Sequence, residues 1–112
     1  MEDCIFCKIA RKELKAEIIK EGTDWICFKD VHPKAPVHWL LIPKAHYQNL
    51  QSVDNGLLFG NLLMGIREVV SEHSLENGGY RLVVNTGKDG GQTVSHLHFH
   101  ILAKRSMGWP PG

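Results

Sequence analysis

The chain has 112 residues, of which 43% are hydrophobic and 22% are charged, and its formal net charge is +1 with the histidines counted as neutral. This length suits one domain covering residues 1–112, with the composition of an ordinary globular protein. A charge so close to zero excludes the basic surface of a nucleic-acid-binding protein, although a single nucleotide needs only a few local donors. The acidic start and the short apolar stretches predict neither a signal peptide nor a membrane span, so we expect a cytoplasmic or nuclear protein.

The predicted elements, in chain order, are short strands interrupted by two helices. Helices are expected over 5–12 and 55–73, and Asp54 is the predicted N-cap of the longer one, whose apolar residues recur every three or four positions. Strands are expected at five places, which are 18–19, 25–28, 39–42, 80–84 and 94–103. The order predicts an α+β domain built on an antiparallel sheet, followed by an irregular tail.

The run His96-Leu97-His98-Phe99-His100 places a histidine at every second position. On a strand, alternate side chains point to opposite faces, so the three imidazoles would share one face and the apolar residues would fill the other. On a helix the same histidines would scatter around the axis. A face of three imidazoles can bind a metal or carry out nucleophilic and acid–base chemistry near neutral pH.

A glycine-containing loop over 86–93 comes directly before this run. Its glycines, among them Gly91, would let backbone N–H groups approach a phosphate closely, and the hydroxyl of Thr93 could add a donor. The loop does not match the phosphate-binding motif G-x-x-x-x-G-K-[ST], so the sequence does not predict an ATPase of that type.

The chain has three cysteines, and Cys4 and Cys7 form a C-x-x-C pair. In a reducing compartment such a pair is more often a metal or redox element than a structural disulfide. Cys27 falls in the second predicted strand and is expected to be a core residue.

The histidine run resembles the signature of the histidine triad (HIT) family of nucleotide hydrolases and transferases. Segments 28–38, 41–46 and 83–100 are also similar to that family, and the ending Trp109-Pro110-Pro111-Gly112 resembles its nucleotide-binding, purine nucleoside phosphoramidase branch. The resemblance implies a HIT-like fold: a five-stranded antiparallel sheet with one long and one short helix. It also implies a homodimer whose sheets join, with the Trp109 tail approaching the partner's site.

The implied activity is cleavage of the P–N bond of AMP- or GMP-amines through a covalent nucleotidyl-histidine. By resemblance His98 is the nucleophile, with one ring nitrogen free and the other donating to a backbone carbonyl, and His100 and Thr93 contact the phosphate. Asp30 would bind the ribose, and His38 would support the site. The full nucleotide-binding set implied is Phe6, Leu14, Phe28, Asp30, Val31, His38, Asn85, Gly91, Gln92, Thr93, His98, His100 and Trp109.

The resemblance also implies a structural zinc ion that the chemistry itself does not require. Its ligands would be Cys4, Cys7, His46 and His96, which make a tetrahedral Cys₂His₂ set. His96 therefore has two competing roles, because a histidine that binds zinc cannot also transfer a proton as a catalytic residue beside His98 and His100.

Two alternatives stay open at this point. One is a dinucleoside polyphosphate hydrolase or nucleotidyl transferase of the same family, against which the Trp109-Pro110-Pro111-Gly112 ending argues. The other is a zinc-containing nucleotide-binding interaction protein in which catalysis is incidental.

Overall fold

The computed structural model describes residues 3–112, and Met1 and Glu2, which belong to the acidic start, lie outside the described residues. The described residues contain two α-helices, α1 (Ile5–Ala10) and α2 (Gly56–Glu72). The strands are β1 (Ile18–Glu21), β2 (Trp25–Lys29), β3 (Val37–Pro43), β4 (Tyr80–Val84) and β5 (Phe99–Ala103). They form one antiparallel sheet in the order β1-β2-β3-β5-β4, so the predicted α+β fold with a five-stranded sheet is confirmed.

Helix α2 begins one residue later than predicted. Asn55, not Asp54, is the N-cap: its backbone is extended and its side-chain oxygen accepts from the backbone N–H of Leu58 at 3.1 Å. Gly65 lies where α2 crosses β2, because a Cβ at that position would come within 2.6 Å of the Trp25 ring. The missing side chain therefore lets the helix pack closely on the sheet.

The sheet separates two apolar clusters that lie on opposite faces. The larger cluster packs under α2, and its most deeply buried members are Cys27, Leu41, Leu62, Val69 and Ile101. The smaller cluster packs under α1 and consists of Phe6, Ile9, Ile26, Phe28, Leu40 and Ile42. Neighbouring residues of β2 and β3 enter the two clusters in turn, as the alternation of side chains along a strand requires.

Two predicted elements are too long. The last strand covers Phe99–Ala103 and not 94–103, because Leu97 donates its backbone N–H to the carbonyl of Tyr47 at 2.7 Å and so leaves the β-ladder. Helix α1 stops at Ala10 because Lys12 has a positive φ of 63°, which a helix cannot contain. Among residues 3–112, none of the helices has the length and apolar character needed to cross a membrane.

Candidate active site and metal centre

A cleft of about 390 Å³ opens on the α1 face of the sheet, and its walls are mostly apolar. This volume lies in the range of small-molecule sites. Eight of the predicted nucleotide-binding residues line it, namely Phe6, Leu14, Phe28, Asp30, Val31, Thr93, His98 and His100. The side chain of Val31 is 82% exposed, so this residue forms the rim of the cleft and not its floor.

His98 is buried, and its tautomer is fixed by the backbone. Its Nδ1 lies 2.8 Å from the carbonyl oxygen of His96. A carbonyl can only accept, so Nδ1 carries the proton and Nε2 of the neutral ring keeps its lone pair. The ring of Phe6 packs edge-on against the imidazole, with ring centroids 5.2 Å apart. A neutral imidazole with one free nitrogen in a cleft is the arrangement that a nitrogen nucleophile requires.

Two consecutive hydrogen bonds determine the tautomer of His100. The backbone N–H of Lys34 donates to Nδ1 of His38 at 2.9 Å, so neutral His38 carries its proton on Nε2. That nitrogen lies 2.9 Å from Nδ1 of His100, which must accept, and His100 therefore has its own proton on Nε2. Burial lowers the pKa of His100 to about 4, with further contributions from His98 and His38. At neutral pH His100 is thus an uncharged donor.

Asp30 lies beside this histidine pair. Its Oδ1 accepts from the backbone N–H of His32 at 2.8 Å, and its Oδ2 lies 3.3 Å from Nε2 of His38. Burial lowers the pKa of His38, and the Asp30 carboxylate opposes that shift. The carboxylate is thus held at the edge of the cleft with acceptor capacity left for a ligand hydroxyl.

The four predicted zinc ligands meet in one cluster. Cys4 Sγ lies 3.3 Å from His96 Nδ1, Cys7 Sγ lies 3.3 Å from His46 Nδ1, and all four ligand atoms lie within 4.8 Å of one another. Tetrahedral zinc with ordinary bond lengths would place sulfur and nitrogen ligands about 3.6 Å apart. Burial and the neighbouring Cys4 thiol raise the pKa of Cys7 and so disfavour its thiolate. The positive charge of a bound dication would favour the thiolate and offset this effect. The residues present therefore fit a structural zinc ion.

His96 has no nitrogen left for a proton transfer. Its Nδ1 faces the two cysteine sulfurs, at 3.3 Å from Cys4 and 3.5 Å from Cys7, and its Nε2 donates to the carbonyl of Pro43 at 2.9 Å. The side chain is fully buried. Of the two roles predicted for His96, the geometry favours the metal ligand over the catalytic residue.

Five predicted nucleotide-binding residues do not line the cleft. Gln92 holds its own loop together, because its amide nitrogen donates to the carbonyls of Gln48 and Val94 and its oxygen accepts from the N–H of Gly87. His38 does not reach the cleft itself but is hydrogen-bonded to His100, as described above. The side chain of Trp109 is 84% exposed in a tail whose Gly108 carbonyl accepts from Arg81. The other two are Asn85 and Gly91.

Sequence reasoning missed several contributors to the site. Ile9 and Leu40 line the cleft, and the alternation of Leu40 with Trp39 and Leu41 along β3 was the signal that could have placed Leu40. The backbone N–H of Lys34 and the carbonyl of Pro43, which fix two histidines, carry no sequence signal because every residue has such groups.

A second depression, of about 470 Å³, lies between the β1–β2 turn and α2. It is more open and more polar than the cleft, and it is lined by residues such as Asp24, Asn61 and Glu68. Within the described part of the chain none of the predicted site residues contacts it, so the histidines and the ligand cleft belong together on the opposite face.

Fold and site together define a small α+β protein with an apolar cleft, a histidine nucleophile candidate and a Cys₂His₂ cluster. The HIT domain model matches residues 11–107. An uncharacterised HIT-like protein of Synechococcus elongatus is 47% identical over 99% of this chain and 98% of its own. Protein HitA of Neisseria gonorrhoeae is 43% identical over 91% and 96%. A HIT family hydrolase of Legionella pneumophila is 40% identical, covers 98% of this chain and 100% of its own, and has a TM-score of 0.93. The chain belongs to the HIT family.

Proposed function

We propose that this chain is a purine nucleotide-binding hydrolase that cleaves the P–N bond of nucleoside 5′-phosphoramidates through a nucleotidyl-His98 intermediate. The observation that carries the proposal is the backbone-fixed tautomer of His98, which leaves Nε2 free inside an apolar cleft. The hydrolase class is further supported by the relative from Legionella pneumophila, which is described as a HIT family hydrolase.

The reaction proceeds in two displacements. Nε2 of His98 attacks the α-phosphorus, the P–N bond breaks, and the amine leaves with a proton from the solvent. Water then attacks the phosphorus and loses a proton to the solvent, the bond to Nε2 of His98 breaks, and AMP or GMP is released. His100 donates its Nε2–H to a phosphoryl oxygen and Thr93 adds its hydroxyl, so charge that develops in the transition state meets donors already in position. Covalent catalysis divides one difficult displacement into two easier ones.

The remaining residues of the cleft bind the nucleoside. Phe6, Leu14 and Phe28 offer apolar walls to a purine ring, and Val31 covers it from the rim. The Asp30 carboxylate accepts from the ribose hydroxyls. These contacts all lie on the α1 face of the sheet.

Zinc is the metal proposed for the cysteine–histidine cluster. Cys4, Cys7, His46 and His96 would hold it in a closed four-ligand site, which supplies a structural cross-link and leaves no open position for catalysis. Metal analysis of the purified protein should find about one zinc ion per chain.

The edge strand β4 is the surface proposed for a homodimer. Tyr80 and Leu82 are 39% and 40% exposed, and by their pairing with Ala103 and Ile101 they lie on the α2 face at the edge of the sheet. An apolar edge strand with free backbone groups favours pairing with a second strand. Light scattering of the purified protein measures the oligomeric state directly.

Trapping of the covalent intermediate tests the catalytic proposal. Mixing the protein with adenosine 5′-phosphoramidate and quenching within a turnover should add one AMP to His98, located by mass spectrometry. His98→Ala should still bind AMP but form no adduct. Its rate of phosphoramidate hydrolysis should be lower by at least about 10³-fold. Faster turnover of a diadenosine polyphosphate than of an AMP-amine would favour the family alternative. Tight AMP binding without an adduct would contradict the proposed catalysis and indicate a binding protein.

A further inference from the structure

His96 connects the metal cluster to the candidate nucleophile. The ring of His96 belongs to the cluster, and the backbone carbonyl of the same residue accepts the Nδ1–H of His98 at 2.8 Å. Any rotation of the 96–98 backbone therefore moves the acceptor that fixes the tautomer and the direction of the attacking imidazole. A displacement of about an ångström can strongly reduce the rate of a reaction between positioned groups. The acceptor that orients the His98 imidazole therefore matters for the rate of attack.

A second connection runs through helix α1. Phe6 lies between Cys4 and Cys7 in the sequence, and the Sγ of Cys4 accepts from the backbone N–H of Cys7 at the first turn of the helix. The ring of Phe6 packs edge-on against both His96 and His98, at centroid distances of 5.9 Å and 5.2 Å. The two cysteines thus hold the helix whose aromatic side chain restricts the nucleophile from the cleft side.

The other hydrogen bonds of His96 and Leu97 run to the β3 side of the segment. His96 Nε2 donates to Pro43 and the N–H of Leu97 donates to Tyr47, and both acceptors belong to β3 or to the chain that follows it. Helix α1 makes no comparable backbone bond to the 94–98 segment within the described residues. Without a cation, thiols and imidazoles at 3.3–3.5 Å offer only weak hydrogen bonds across this junction.

We propose that Cys4 and Cys7 are positioning residues for His98, which hold the nucleophile in its attacking orientation through His96 and Phe6. This inference rests on the proposed function. It goes beyond a structural zinc site, because it assigns the cluster an effect on the first displacement and not on the fold as a whole.

The test compares zinc-loaded protein, the same protein after chelation, and Cys7→Ser. The readouts are zinc content, the ring ¹⁵N and Nδ1–H signals of His98 by NMR, the rate of nucleotidyl-His98 formation in a single turnover, and AMP affinity. Chelation and Cys7→Ser should broaden or shift the His98 ring signals and slow adduct formation by roughly 10- to 100-fold. AMP affinity should fall by much less, and re-addition of zinc should restore the wild-type protein but not Cys7→Ser.

Cys27→Ala is the matched control. Cys27 is fully buried on the opposite face of the sheet, and burial raises the pKa of its thiol to about 12, which makes it unreactive. Its substitution should leave zinc content, the His98 signals and the adduct rate unchanged. If Cys7→Ser does not fold, chelation of the wild-type protein decides.

Two results would overturn the proposal. One is loss of zinc with unchanged His98 signals and an unchanged adduct rate. The other is unfolding on chelation, because the cluster would then support the whole fold and not the nucleophile. A zinc-loaded protein that forms no adduct contradicts the proposed function instead, and the NMR signals of His98 still decide whether the cysteines position it.

Discussion

The two faces of the sheet are built from the same strands, yet they differ in nearly every other respect. The face under α2 is a continuous apolar core, whereas the face under α1 carries a smaller core together with His38, His96, His98 and His100. The segment around β5 serves both, since Leu97, Phe99 and Ile101 enter the α2 core between the histidines. Alternation of period two therefore lets one short segment contribute stability on one side and chemistry on the other.

The largest effect that separates the two faces is expected from Leu62→Ala. Leu62 is fully buried under α2, and its truncation leaves a cavity. The free energy of unfolding should fall by about 2–5 kcal/mol, measured by denaturant titration, while folded protein forms the His98 adduct at the wild-type rate. Leu63→Ala, next to it and 41% exposed, is the control and should change stability by about 0.5 kcal/mol or less. Equal losses for both variants would contradict the assignment of this face to stability.

Much of this two-sided arrangement could be predicted because it depends on the local periodicity of apolar residues in the sequence. The three- and four-residue spacing along α2 and the alternation around His98 each concern neighbouring residues, so the elements and their buried faces follow from the sequence. The apolar walls Phe6 and Phe28 were placed by resemblance to the HIT family and do line the cleft.

What could not be predicted depends on contacts between distant parts of the chain. The last strand starts late because Leu97 bonds to Tyr47 and His96 bonds to Pro43, and no local pattern reports either contact. Gln92 was expected at the nucleotide, yet its amide is used up by the carbonyls of its surroundings. Asn55 and Asp54 are equally good caps by type, so only the observed backbone decides between them.

A smaller effect, on the rate of adduct formation, is expected when a histidine is removed from the α1 face but not when one is removed from the α2 face. His38→Ala deletes the donor that fixes the tautomer of His100, so the rate of adduct formation should fall by about tenfold, less than the loss for a donor that contacts the phosphate directly. The matched variant is His73→Ala on the α2 face, where His73 packs on Trp39 and bonds to the carbonyl of Val69. Its adduct rate should stay at the wild-type value. A similar loss for both variants would show that the effect of His38 is not specific to the site.

The last comparison concerns the dependence of stability on pH, to which the buried His100 of the histidine face should contribute. Burial lowers the pKa of His100 to about 4 from an ordinary value of 6.5. Between these two values the unfolded chain binds a proton that the native protein does not, so stability must fall as the pH drops through this window. His100→Gln removes the titrating group and should make the decline of the free energy of unfolding between about pH 6.5 and about pH 4 shallower. Both proteins are measured with zinc added, so that His96 contributes equally to the pH dependence of each. Parallel declines of the free energy of unfolding in the two proteins would contradict a buried, neutral His100.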